Sequence, residues 1–410
     1  MMGKKKTVIR KHKSGTSAQI LIENFLKKNY DSRYNEIKSK VEFKKKKEKQ
    51  FIPLTEYHLN TVHRELALEE ISCSLPRLRG LFCSSFSKRY NPFLDYLTSL
   101  PVHKNGEDYI QKLAETVNTT NNPLWYEVFR KWIVALVASL IKDEIINHTV
   151  IVFSGGQGIG KTTWTLKLVP TKLGTYVYSG IINPDNKDTL IHLSECMLIN
   201  LDELENLTKS EQGSIKEMIT KSSINVRKPY GYNSETIPRR ASFAGSVNGI
   251  EFLSDTSGSR RFLCFEVIDI NNNHRVKIDR VYAQAKYLYE SGFQYWFDQD
   301  EIKTIQQNNE QFRYQSVEEE LLLTYFDPCE IPDATDILTT TDILLYLQGK
   351  ISLPMNDTVK QKLGKALRGN KFVRTSKLNK YAYAVKEKLT GVNLVYASNS
   401  PEGTRLLAMN

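Results

Sequence analysis

The sequence predicts an α/β chain built around a parallel sheet, and three observations carry that expectation. Residues Gly155 to Thr162, Gly-Gly-Gln-Gly-Ile-Gly-Lys-Thr, fit the phosphate-loop (P-loop) pattern GxxxxGK[ST]. The run Thr149 to Ser154 before it is short and rich in β-branched residues, as buried parallel strands are, and Lys161 to Leu168 after it reads as a helix. A second strand, Met197 to Leu201, then delivers Asp202 and Glu203 at a separation that fits helix, strand, helix and strand between the two motifs.

In chain order, residues 1–50 hold 16 Lys+Arg against 5 Asp+Glu, are poor in core formers and contain the block Lys44 to Lys47. A basic flexible arm around one short helix, Ala18 to Lys28, is expected there. Residues 51–120 should form a small helical region, with Thr55 and Ser74 capping two short helices that end near Leu66 and Leu81. From Leu124 to Ile141 apolar residues recur at i, i+3 or i+4 over five turns, which predicts a core helix docked beside the first strand of the sheet. Further strands are expected at Thr175 to Ser179, Cys196 to Leu201 and Ala241 to Val247, a helix at Ser210 to Ser222, and a hairpin at Val226 to Ile237 around Pro229-Tyr-Gly-Tyr232. Together these make a P-loop core over residues 121–300. In residues 310–389, helices at Thr341 to Leu347 and Thr358 to Leu367, then strand, polar turn and strand over Phe372 to Val385, predict a winged-helix-like domain. Residues 390–410 read as a weakly structured tail.

Composition narrows the function classes. With 410 residues, 40% hydrophobic and 25% charged, the chain has the make-up of a soluble globular protein of two or three domains. Five scattered cysteines without a CxxC pair, and seven histidines without ligand spacing, suggest neither a disulfide framework nor a zinc site. The most apolar run, Trp132 to Ile141, is ten residues long, well short of the roughly 20 that span a bilayer, so a cytoplasmic protein with no membrane partner is expected. The net charge of +11 resides in the first 50 residues, and a second basic stretch runs from Lys360 to Lys388 with only Glu387 opposing it. Such patches suit nucleic-acid phosphates; a solvated tail is the plain alternative at the N-terminus.

The motifs point to nucleoside-triphosphate chemistry. Gly155, Gly156, Gly158 and Gly160, with Gln157 and Ile159 between them, let the backbone curl so that its N–H groups face phosphate oxygens. Lys161 places a cation on the outer phosphates, Thr162 a hydroxyl on Mg²⁺, and Thr163 continues the set into the helix, so the expected cofactors are ATP and Mg²⁺. Asp202 would share the Mg²⁺ shell and Glu203 would polarise the attacking water as general base. Asn200 interrupts the apolar run ahead of them. Asn248, at the end of a third strand, suits a γ-phosphate sensor, although a lone Asn there is also an ordinary turn residue. Arg260 and Arg261 on a glycine-containing loop suit an arginine finger reaching a neighbouring subunit's nucleotide; a surface salt bridge is the plain alternative, and Arg239 and Arg240 compete for the role.

These motifs, in this order, resemble the virulence-associated protein E family, P-loop ATPases related to superfamily 3 helicases and AAA+ proteins. The resemblance rests on Asn91 to Leu97 (Asn-Pro-Phe-Leu-Asp-Tyr-Leu), Asn147-His-Thr-Val150 leading into GGQGIGKTT, Asp202-Glu203-Leu204, Val247-Asn248, Glu251-Phe252-Leu253 and GSRRF. It covers residues 91 to 270 tightly and the flanks loosely, and the C-terminal region looks like a domain of uncharacterised function joined to this family in Bacteroides-type bacteria. The resemblance implies an AAA+-like fold and replication work for phages or other mobile elements. It further implies a homo-oligomer, hexameric in the related helicases, whose hairpin after the acidic pair carries a basic residue to DNA. Here that hairpin offers Arg227, Lys228, Tyr230 and Tyr232, cations and aromatics suited to phosphate contact and base stacking, or an ordinary surface hairpin. In the C-terminal region Lys360, Lys362, Lys365 and Arg368 on one short helix are candidate DNA contacts, with Lys377 and Lys380 on the wing. No primase-like segment is evident upstream, so a separate primase is an expected partner.

The expectation is therefore an ATP-hydrolysing, DNA-directed motor. A nucleotide-gated DNA-binding initiator without unwinding activity is the alternative. A phosphotransferase using the same loop ranks third, because no acceptor pocket is visible and Glu203 favours water as the nucleophile.

Overall fold

The computed structural model describes residues 17–104, 106–182, 186–202, 204, 209–226, 234–249, 251–253 and 259–388. The chain divides into two compact units, Met1–Arg313 and Tyr314–Asn410. Residues 1–16 of the expected arm, the hairpin tip at 227–233 and the tail at 390–410 lie outside the described residues.

The first unit opens with α1 (Ala18–Asn29), β1 (Tyr30–Asn35), β2 (Lys40–Lys45), β3 (Ile52–Pro53), α2 (Glu56–Leu68), α3 (Leu75–Phe82) and β4 (Lys88–Tyr90). The strands form one sheet in the order β3-β2-β1-β4, so residues 30–45, expected in the flexible arm, are paired strands, and the small helical region expected after them contributes β3 and β4 as well as its two helices. Tyr30, Val41 and Phe43 alternate along β1 and β2 onto one face and pack with Ile22, Leu26, Leu59, Val62, Leu66 and Leu78 of the helices. Lysines that dominated the composition stand on and beside these strands; Lys44 of β2 and Lys46, just beyond its end, pair with Asp31 of β1 at 3.5 and 2.5 Å. Asn35, fully buried, donates to the Tyr176 hydroxyl at 2.7 Å and so ties this sheet to the rest of the unit.

Then follow α4 (Pro92–Thr98), α5 (Tyr109–Ala114), β5 (Val117–Thr119), α6 (Asn122–Ile141), β6 (Val150–Ser154), α7 (Lys161–Lys167), β7 (Val177–Gly180), α8 (Lys187–Glu195), β8 (Leu198–Leu201), α9 (Lys209–Thr220), β9 (Ser223–Val226), β10 (Glu235–Pro238), β11 (Ser242–Val247), β12 (Phe262–Ile270), α10 (Ile278–Glu290) and α11 (Gln299–Asn309). Six strands make a sheet in the order β5-β12-β6-β11-β8-β7, parallel except for the edge pairing of β5 with β12. The residues of β6 are buried throughout, as a strand covered on both faces requires. Ile151, Phe153, Leu198, Ala244, Leu263 and Phe265 meet α6 on one side, where Trp125, Phe129 and Trp164 interlock with Phe153 and Phe265. Val150, Val152, Ile199, Leu201, Phe243 and Cys264 form the other side with Ile215, Met218 and Ile219 of α9.

Two boundaries differ from the sequence expectation. Residues 91–119 belong to the core, because α4, α5 and β5 share its apolar cluster and β5 extends its sheet. Residues 301–313 belong to it too: Asn308 Nδ2 donates to Cys264 O at 2.8 Å and Asn309 Nδ2 to Phe262 O at 2.7 Å, so α11 satisfies the backbone of β12 where β5 does not reach.

The second unit contains α12 (Val317–Tyr325), β13 (Phe326–Pro328), β14 (Asp336–Thr339), α13 (Thr340–Gln348), α14 (Asp357–Gly369), β15 (Arg374–Lys377) and β16 (Lys380–Glu387). Strands β13, β14 and β15 all pair antiparallel with β16. The core joins Leu322, Phe326, Ile343, Leu344, Leu347, Leu363, Leu367, Tyr383 and Val385. Leu378 and Asn379 carry the β15–β16 turn with positive φ angles of 50° and 57°. Among the described residues, no helix of the chain is long and apolar enough to cross a membrane.

Candidate active site

Strand order positions the site. From β6 the chain crosses to β7 at the far edge and returns through β8 and β11, whereas β12 lies on the other side of β6. The connections therefore diverge beside β6, and in open parallel sheets the crevice outside the carboxyl ends of the strands at such a point is where ligands bind. The turn from Ser154 to Lys161 occupies that place.

Its backbone takes forms that side chains resist. Gly155, Gly158 and Gly160 have φ of 146°, 83° and 92°. A Cβ on Gly155 would stand 2.8 Å from Val267 O, and one on Gly160 would stand 1.9 Å from Asn272 Nδ2. Gly160→Ala is accordingly expected to cost about 1–3 kcal/mol in a urea titration, from the left-handed strain alone. Adding Asn272→Ala should recover the steric part of the loss and leave the conformational part.

Lys161 is only 6% exposed. Its ammonium donates to Gly155 O at 2.7 Å and Gly156 O at 2.8 Å and lies 3.5 Å from Asn248 Oδ1. Three elements thus converge on one cation: the loop, the start of α7 and the end of β11. On its other flank the Thr162 hydroxyl donates to Asp202 Oδ1 at 3.2 Å and lies 3.4 Å from Ser246 Oγ. Asp202 is held again from its own sheet, by Asn200 Nδ2 at 2.6 Å and Ser179 Oγ at 2.8 Å. A hydroxyl and a carboxylate side by side are oxygen donors of the kind a hard divalent cation takes, next to a cation and a curled backbone suited to phosphate.

Lys161, Thr162, Asp202 and Asn248 therefore meet; Glu203 lies outside the described residues. Ser179, Ser246 and Asn272 carried no sequence signal. Asn200 did carry one, as a polar residue in an apolar strand.

The four arginines separate. Arg239 is fully buried; its guanidinium donates to Lys221 O, Asn147 O and Ile219 O at 2.9 Å each and also to Ala241 O, and burial lowers its pKa to about 9. Arg240 pairs with Asp143 at 2.7 Å. Both are structural, which removes them from competition for a finger role. Arg260 is exposed and Arg261 half-buried, just before β12, whose Phe262 is level with Val150 at the start of β6. They sit at the opposite end of the sheet from the glycine loop, beside a cleft of about 550 Å³ lined also by His148, Tyr295, Trp296 and Phe297.

Residues 97–314 match the virulence-associated protein E-like domain. The chain belongs to that family. Solved apo structures of the C-terminal region of NrS-1, residues 305–718 of that protein, also resemble this family member. One covers 92% of this chain and 100% of its own at 12% identity with a TM-score of 0.49, and an A-form structure covers 90% and 99% at 12% identity with a TM-score of 0.47. No curated protein matches the chain.

The candidate nucleic-acid residues fall in two places. Arg227, Lys228, Tyr230 and Tyr232 lie outside the described residues, between strands β9 and β10, which pair antiparallel from Ser223↔Pro238 to Val226↔Glu235. On α14, Val359, Leu363, Ala366 and Leu367 face the core, Lys365 and Arg368 are exposed, and Lys360 is half-buried. Lys362 pairs at 3.0 Å with Glu318, whose side chain is 6% exposed, and Lys377 donates to Ile337 O at 2.8 Å. By exposure Lys362, Lys365, Arg368 and Lys380 are the outward-facing members of the expected set.

Proposed function

We propose that this chain is an ATP-hydrolysing, DNA-directed motor of helicase type that serves replication of a phage or other mobile element and acts as a homo-oligomer. The observation that carries the reading is the meeting of the glycine loop, Lys161 and Thr162 with Asp202, from two distant stretches of sequence, at the divergence point of a parallel sheet. That geometry, together with the motif, supports the P-loop reading.

In this reading the backbone of Gly155 to Thr163 cradles the phosphates and Lys161 balances charge on the outer ones. Thr162 and Asp202 would hold Mg²⁺, which when bound neutralises phosphate charge. Glu203 takes the proton from the attacking water, Asn248 registers the terminal phosphate beside Lys161, and Arg260 or Arg261 stabilises charge at the neighbouring subunit's site. The hairpin residues Arg227, Lys228, Tyr230 and Tyr232 grip the strand.

The second unit, in the order helix, two strands, two helices and a hairpin, supports reading it as winged-helix-like, with Lys365 and Arg368 toward DNA. That same order also favours the initiator reading, and one assay separates the two. A motor is expected to hydrolyse ATP faster when single-stranded or forked DNA is added and to lose turnover on Glu203→Gln. Turnover indifferent to both changes would defeat the proposal.

A further inference from the structure

We infer that Asn200 and Ser179 are positioning residues that clamp the Asp202 carboxylate in the orientation a divalent cation needs, an inference that rests on the nucleotide-site reading above. Asn200 lies fully buried in β8, level with Ser179 of β7 and Ala244 of β11. Its amide Nδ2 donates to Asp202 Oδ1 at 2.6 Å and to Ser179 Oγ at 3.0 Å, and Ser179 Oγ donates in turn to Asp202 Oδ2 at 2.8 Å. With Thr162 on Oδ1 at 3.2 Å, both carboxylate oxygens are gripped from α7, β7 and β8, which fixes the plane of the group.

The donors named are neutral. An amide and two hydroxyls orient a carboxylate without cancelling its charge, so the negative charge stays available to a cation; a lysine or arginine in their place would compete with it. Asn200 is also locally unfavourable. Among the described residues its Oδ1 is buried without a hydrogen-bond partner, in a strand whose neighbours Leu198, Ile199 and Leu201 are aliphatic and buried. An aliphatic side chain would suit the strand better. A polar residue kept at such a penalty, and aimed at a site carboxylate, is what a position serving chemistry looks like.

The clamp and a merely structural role predict opposite signs. Binding of a fluorescent ATP analogue to the full chain is measured as Mg²⁺ is titrated, and thermal midpoints are recorded for the same proteins. If the clamp is right, Asn200→Leu melts no earlier than wild type yet needs about tenfold or more additional Mg²⁺ for half-maximal binding, the size of effect typical of groups that orient metal ligands. Ser179→Ala, an exposed position, shifts the Mg²⁺ midpoint in the same direction by a smaller factor, and it decides the matter alone should Asn200→Leu fail to fold. Unshifted Mg²⁺ midpoints, in a protein whose binding Lys161→Ala abolishes, would overturn the clamp and leave the nucleotide site standing. Absence of binding by wild type would overturn both.

Discussion

Lys161→Ala should bind no ATP at concentrations that saturate the wild-type chain, and its turnover should fall by about 10²–10³ or more, the scale seen when one preorganised group facing developing charge is removed. Lys161 is 6% exposed, and its ammonium is placed by two loop carbonyls and Asn248 rather than by a mobile surface position. A charge held that way loses little freedom on meeting phosphate, so most of its attraction appears as binding. Thermal melts give a measure independent of activity. Mg²⁺ and ATP at 100 times the dissociation constant should stabilise wild type by about 2.7 kcal/mol, and the variant not at all. A variant that still melts later with ATP would locate the binding elsewhere. Comparing melts without nucleotide separates this loss from any general destabilisation.

How much of this was legible in the sequence depends on how local each feature is. The glycine loop and its strand and helix are contiguous, and β6 and α7 form at the expected residues. The 3.6-residue periodicity of α6 is equally local, and the helix docks on Phe153 of β6 as expected, although Val134, Ala135, Ala138 and Ser139 are buried too and the stripe is wider than its spacing implied. Asn200 registered only as an anomaly, because its partners Ser179 and Asp202 come from the neighbouring strand and the strand end. The N-terminal sheet was hidden by composition: the alternation of Val41 and Phe43 was present, but Lys44 to Lys47 outweighed it. Sequence spacing did not rank Arg239, Arg240, Arg260 and Arg261 either, since the ranking depends on which end of a sheet each occupies.

That ranking leads to the other large effect. Replacing both Arg260 and Arg261 by alanine should lower turnover by about 10³-fold or more if they serve as the finger, and mixing this variant with Lys161→Ala should restore activity that neither has alone. Phe262 is level with Val150, and Gly155 lies five residues on, so five strand steps of about 3.3 Å, roughly 16 Å in all, separate the start of β12 from the start of the loop. In the proposed reading that span puts one subunit's arginines out of reach of its own glycine loop. In the proposed homo-oligomer, a head-to-tail contact, the kind that closes rings, would have to bring one subunit's β12 start against the next subunit's loop. In a mixture, the subunit lacking both arginines keeps its loop and the subunit lacking Lys161 keeps its arginines. With random assembly and independent interfaces, about a quarter of the interfaces regain a complete site, so turnover should approach that fraction of wild type. A mixture that assembles, yet turns over ATP no faster than its components, would remove Arg260 and Arg261 from the chemistry and leave them lining the cleft beside His148 and Trp296.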